Sequence, residues 1–208
     1  MSQPANTGNE LADLYAFVSG VLADPPDEVA VERLANETFP SEASPQALQN
    51  GFRMLRKWQA GVDDPAAEAR RLNTVHTELF VGPRPRMQIH ESWYAGDYLG
   101  EPLAAVKGTY EDLGVTPSED LREEPDHAAV ELKTLEILAR DGAEDYRQAF
   151  LSIHGWWLPD LAEDIQEMAD DTFYQAVGWI LDGTLEADIH ALGLNRNELE
   201  AGYLDSTV

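Results

Sequence analysis

The stretch Asp64-Pro65-Ala66-Ala67-Glu68-Ala69-Arg70-Arg71-Leu72-Asn73-Thr74-Val75-His76-Thr77-Glu78-Leu79-Phe80-Val81-Gly82-Pro83 contains a helix start, an apolar stripe and a stop. Asp64 can accept the unpaired N–H groups of a first turn, and Pro65 sits where a helix has no use for a donor. Leu72, Val75, His76, Leu79 and Phe80 recur at steps of three and four residues, which places them on one helix face. Gly82-Pro83-Arg84-Pro85-Arg86 then breaks the helix, because proline lacks the N–H and its ring clashes with the preceding turn.

The same grammar repeats in both directions. Upstream, Leu11, Leu14, Tyr15, Val18, Val21 and Leu22 form a stripe that Asn9 can cap and Pro25-Pro26 close. Ser44-Pro45 reads as a cap followed by proline at the first helical position, ahead of Leu48, Phe52, Leu55 and Trp58. Downstream, the segment to Gly100 reads as loop or short helix, and Leu103, Val106, Tyr110 and Leu113 predict a helix that Gly114 terminates. Thr116 to Pro125 is a polar, proline-bearing connector. Val130, Leu135 and Leu138 mark a helix from about His127; Phe150, Leu151, His154 and Trp157 mark another, bent or broken at Pro159. Asp171 can cap a last long helix carrying Phe173, Tyr174, Val177, Ile180 and Leu181. No segment alternates as a strand does. The expected fold is all-α, one helical bundle-like domain over residues 9–203, with an N-terminal part (9–115), a hinge (116–126) and a C-terminal part (127–203).

The 208 residues carry 14 Lys+Arg against 39 Asp+Glu, a net charge of −25. Such a surface repels phosphate, which excludes nucleic acid as a partner and disfavours stable association with anionic membranes. A hydrophobic share of 43%, with five Trp, seven Tyr and six Phe, distinguishes the chain from an acidic disordered one. With no cysteine there is neither a disulfide scaffold nor a thiolate site. The start has no signal-peptide pattern and no run approaches the ~20 apolar residues of a membrane span, so a cytoplasmic location is expected. Only Lys57, Lys107 and Lys133 stand beside eleven Arg. That bias suits a multimolar-salt, halophilic cytoplasm, where most of the carboxylates reflect habitat.

Few residues suggest catalysis. Glu124 and His127 have the Glu-x-x-His spacing of di-iron bundles, but such a site takes two pairs and there is no second. His127 with Glu131, and Glu186 with His190, share helix faces as any i, i+4 pair does. Phosphate loops, dinucleotide fingerprints, nucleophile elbows and zincin helices are absent from the sequence. No catalytic residue and no metal ligand is therefore assigned. The rival reading is a metal-dependent or nucleotide-hydrolysing enzyme with Asp126, His127 and Glu131 as its polar centre.

Three strings carry more information. Leu79-Phe80-Val81-Gly82-Pro83 is followed by Glu91-Ser92-Trp93-Tyr94; Glu123-Glu124-Pro125-Asp126-His127 opens a helix; and Phe150-Leu151-x-x-His154-x-x-Trp157 precedes Phe173-Tyr174. In order and spacing, from about Leu11 to Leu185, they resemble the TorD/DmsD/NarJ family of cytoplasmic molybdoenzyme maturation chaperones, the redox enzyme maturation proteins. The resemblance implies an all-helical fold hinged at Glu-Pro-Asp-His. It also implies binding of the twin-arginine signal peptide of a molybdopterin-containing reductase, whose precursor is held back from export until its cofactor is in place. It implies a monomer or weak dimer that is not an enzyme and has no resident cofactor, although weak guanine-nucleotide binding is associated with some members.

A signal peptide offers a cationic end and an apolar stretch, so its receptor needs acids beside an apolar groove. The peptide-binding residues that the resemblance implies are Leu79, Phe80, Gly82, Pro83, Glu91, Ser92, Trp93, Tyr94, Glu123, Glu124, Pro125, Asp126 and His127. Leu79, Phe80, Trp93, Tyr94 and Tyr98 are suited to line the groove. Glu123, Glu124 and Asp126 are suited to meet the arginines through forked, charge-assisted bonds. Leu79 and Phe80 fit a core equally well. Asp126, with Pro125 before it, also fits an N-cap, His127 is best neutral, and His154 and Trp157 fit the core. The chain departs from the family pattern in three places: His76 replaces an aromatic, Arg84 follows Gly-Pro, and Met87-Gln88-Ile89-His90 lacks the prolines usual before Glu-Ser.

Overall fold

A computed structural model describes residues 7–115, 123–196 and 199. Among them every extended regular element is helical, and the one β-type pairing is an isolated antiparallel bridge between His90 and His127. Ten α-helices follow in order: α1 (Thr7–Ala23), α2 (Glu28–Ala35), α3 (Gln46–Gln59), α4 (Pro65–His76), α5 (Glu91–Tyr94), α6 (Glu101–Asp112), α7 (Ala128–Arg140), α8 (Glu144–His154), α9 (Leu158–Met168) and α10 (Thr172–Ala191).

Several ends obey the local chemistry. Asp64 accepts from the N–H groups of Ala66 and Ala67 at 3.0 and 3.1 Å, and Asp171 from those of Phe173 and Tyr174 at 2.9 and 3.2 Å. Gly114 has the left-handed φ of +66° that ends a helix cheaply in glycine. Other ends differ from expectation. α1 starts at Thr7, before Asn9, and the cap position of α3 falls to Pro45 rather than Ser44. α2 was not legible because its eight residues bury only Val31 and Leu34, too few to show a period; its cap, Asp27, accepts from Ala30 N–H at 2.8 Å. α4 passes into one π-helical turn, Thr77–Val81, closed by Gly82 N–H on Thr77 C=O at 2.7 Å. The break near Pro159 is a 3₁₀ turn, Gly155–Trp157, after which Pro159 occupies the first turn of α9, where no donor is needed.

α10 is the central element. α1, α3 and α9 pack on it, and α1 also packs on α7. The α3 backbone comes so close that a Cβ at Gly183 would lie 2.5 Å from Leu48 N. Helices from both expected parts therefore share one core, in which Tyr15, Leu55, Leu132, Phe150, Trp157, Phe173 and Tyr174 are buried together. Residues 116–122 of the expected hinge, and 197–203 apart from Leu199, lie outside the described residues. No described helix is long and apolar enough to cross a membrane.

Candidate functional site

The three strings, far apart in the chain, meet at one place. Ile89–Glu91 and Asp126–Ala128 run antiparallel, with Glu91 N–H donating to Asp126 C=O and Ala128 N–H to Ile89 C=O, both at 2.9 Å. This pairing sets the Glu-Pro-Asp-His segment against the start of α5. Ser92 extends it: its N–H (3.2 Å) and its hydroxyl both donate to Asp126 Oδ2, while Ser92 Oγ accepts from Leu99 N–H at 3.0 Å. Leu99 has φ +59°, a conformation uncommon for a side-chain-bearing residue, so a buried serine hydroxyl holds the turn after α5 in a strained form.

Glu91 anchors the third string. Its Oε1 accepts from Trp156 Nε1–H at 2.8 Å, and its Oε2 lies 3.0 Å from His154 Nδ1, whose other nitrogen is 2.8 Å from Thr109 Oγ1. Trp157 Nε1–H donates to Glu131 Oε2 at 3.0 Å. Burial, and next the neighbouring Glu91, raises the Glu131 carboxyl well above the usual range. Buried in this way, Glu91, Ser92, Asp126, His127, Glu131 and His154 form a scaffold rather than a surface.

The structure reassigns two roles. Asp126 is not the cap of α7. His127 is, with Nδ1 accepting from Ala129 N–H at 3.2 Å, while Asp126 is spent on Ser92 and its Oδ1 has no hydrogen-bond partner. Leu79 and Phe80 are core: the π turn carries them inward, Phe80 packs edge-on against Tyr174 at 5.8 Å, and the loop beyond Gly82 doubles back so that Met87 N–H bonds Leu79 C=O at 2.9 Å. Gly82 is half-buried and Pro83 exposed in that loop, and Pro125 accepts from the Tyr110 hydroxyl at 3.1 Å. The rival polar centre is divided: Asp126 binds Ser92, His127 binds its own helix, and Glu131 binds Trp157. Among the described residues no group of three or more His, Asp or Glu is placed to hold a metal ion.

Burial, followed by the fields of His90 and His76, pushes His127 down to about 3. The 3.6 Å approach of Glu123 to its Nε2 is too long for a hydrogen bond and leaves the ring neutral. The consequence for stability has a definite sign. The unfolded chain protonates near the ordinary 6.5 and the folded chain does not, so the contribution of the neutral ring is complete above about pH 6.5 and is lost as pH falls towards 3. Glu131 contributes in the opposite sense, its stability being lost as pH rises. Asn is itself a good cap, so His127→Asn keeps the helix start while removing the proton. Between about pH 6 and about pH 4, urea midpoints should show wild type losing up to ~1.4 kcal/mol per pH unit more than His127→Asn. Parallel pH profiles would contradict a neutral buried imidazole.

What reaches solvent above this scaffold is an aromatic platform. Trp93 is 53% exposed, and Tyr98 and Leu99 are each about half exposed. Trp93 meets Tyr98 edge to face at 5.9 Å, and Tyr98 meets His90 at 5.5 Å. Exposed Asp97, Glu101 and Glu124 and half-buried Glu123 belong to the same segments, and the charges of Asp126 and Glu124 act on the His90 ring. Tyr94 faces the other way, half-buried on Trp157 at 5.1 Å with its hydroxyl donating to Asp164 at 2.6 Å. Leu99 was missed from sequence; the signal was an apolar pair, Tyr98-Leu99, standing between a Gly-Asp turn and a Gly-Glu-Pro helix start.

The family model for the nitrate reductase delta subunit matches residues 43–178, a span containing all three strings and the platform. No curated protein matches the chain.

Proposed function

Because the chain belongs to the nitrate reductase delta subunit family, a family of molybdoenzyme maturation chaperones, we propose that it is a cytoplasmic chaperone of one molybdopterin-containing oxidoreductase. It binds the twin-arginine signal peptide of that precursor and retains the precursor until the cofactor is in place. The observation that carries this reading is the platform of Trp93, Tyr98 and Leu99, three large apolar side chains held in water beside acids. Large exposed apolar side chains grouped in this way mark an interaction surface. The apolar stretch of the peptide lies on the platform, and Glu123 and Glu124 receive the arginines. Glu91, Ser92, Asp126 and His127 act beneath it, keeping its shape before the peptide arrives and so lowering the ordering cost of binding. The protein works as a monomer or weak dimer and uses no resident cofactor.

Arginine forms forked bonds to carboxylates and lysine does not. A twin-lysine version of the peptide should therefore bind at least about tenfold more weakly than the twin-arginine form in fluorescence titration. Equal affinities would show that the acids act only as a diffuse field, and this reading would fall.

A further inference from the structure

A cavity of about 870 Å³ lies well away from the platform in sequence, lined mostly by residues of the N-terminal end of the chain. α1 and α3 both pack on α10, and the cavity opens between them with Ile180 of α10 among its lining. Leu14 and Phe17 come from α1, and Leu48 and Phe52 from α3. Leu14, Phe17, Phe39 and Phe52 remain only partly covered, and Phe39 stacks on Phe52 at 6.1 Å. The gap is preformed. α2 packs on α4, and the chain after it is tied to α3 by Gln59, whose amide donates to Leu34 C=O at 2.6 Å and Glu37 C=O at 2.9 Å, and by the Arg56 guanidinium on Pro40 C=O.

Two helices that flank a third and leave an apolar trough between them offer a seat for another helix, laid in by its apolar face. The charge around the trough narrows the choice. Glu10, Asp13, Glu37 and Glu42 line it against one guanidinium, Arg33, and although Asp13 also meets Arg140 at 3.0 Å it remains largely exposed. An acidic or neutral segment gains nothing from that rim, whereas a segment with Arg or Lys beside its apolar face does. Most of the lining, from Glu10 to Glu42, precedes the family-matched span of 43–178. We propose that it is a second docking site, which takes an amphipathic, basic-flanked helix of a protein partner. The proposal does not rest on the platform.

The probe is a labelled amphipathic peptide about four helical turns long, Leu and Phe on one face, Arg flanking it, and no adjacent arginine pair. Anisotropy is read in about 1 M salt, where attraction to the general acidity is screened beyond ~3 Å. Wild type should bind it at least about tenfold more tightly than a version with Glu for Arg. Phe52→Glu should abolish binding, and the exposed double variant Glu37→Lys, Glu42→Lys, which leaves the core untouched, should reverse the preference between the two peptides. Trp93→Ala should leave binding unchanged. No binding by wild type, undiminished binding by the lysine double variant, or loss of binding in Trp93→Ala would each overturn the proposal. A failed twin-arginine titration, by contrast, would remove the platform reading and leave the trough intact.

Discussion

Glu91→Ala is expected to lower folding stability by about 3–5 kcal/mol, the largest effect of any polar substitution around the site. The Glu91 carboxylate is buried. Its removal takes away the acceptor of the half-buried Trp156 indole N–H and strands the buried His154 ring nitrogen, and a stranded buried group costs about 1–3 kcal/mol. The lost side-chain volume adds a cavity beside Trp156 and His154. Glu91→Gln keeps an acceptor for one neighbour and should lose clearly less. Urea midpoints of the two variants provide the measurement, and near-wild-type stability of the Ala form would mean that Glu91 is not the tie between α5 and the end of α8. The effect should be structural first: platform and peptide affinity fail because the ground beneath Trp93 has moved.

The helices were legible because their apolar residues keep a 3.6-residue period over many turns and their caps use Asp, Pro and Gly in the ordinary way, as at Asp64, Asp171 and Gly114. α2 was not, since one buried pair on eight residues defines no face. The motif strings were legible as strings, but their depth was not. Period and residue type cannot say whether Leu79-Phe80 looks inward or outward; that depends on the π turn, which shifts the register after His76. Nor can they show that Asp126 turns to Ser92, 34 residues away, and leaves the cap to His127. That choice follows from the bridge between His90 and His127, a long-range pairing with no local signature. Trp93 and Tyr94 look equivalent in sequence, yet adjacent helical positions point about 100° apart, so one reaches water and the other Trp157.

That divergence sets the second large effect. Tyr94→Ala should act on the fold, since it removes a ring packed on Trp157 and a hydroxyl bound to Asp164, at a cost of about 2–4 kcal/mol. Trp93→Ala should act on binding. Trp93 is more than half exposed, so its removal opens little cavity, while aromatic anchors at interfaces commonly carry about 1–2 kcal/mol or more. The decisive experiment is the titration of a twin-arginine signal peptide against wild type and Trp93→Ala in about 1 M salt, with melting curves on the same samples. The platform account predicts about tenfold weaker binding by Trp93→Ala at an unchanged melting temperature. Wild-type affinity in the Trp93→Ala protein would contradict it.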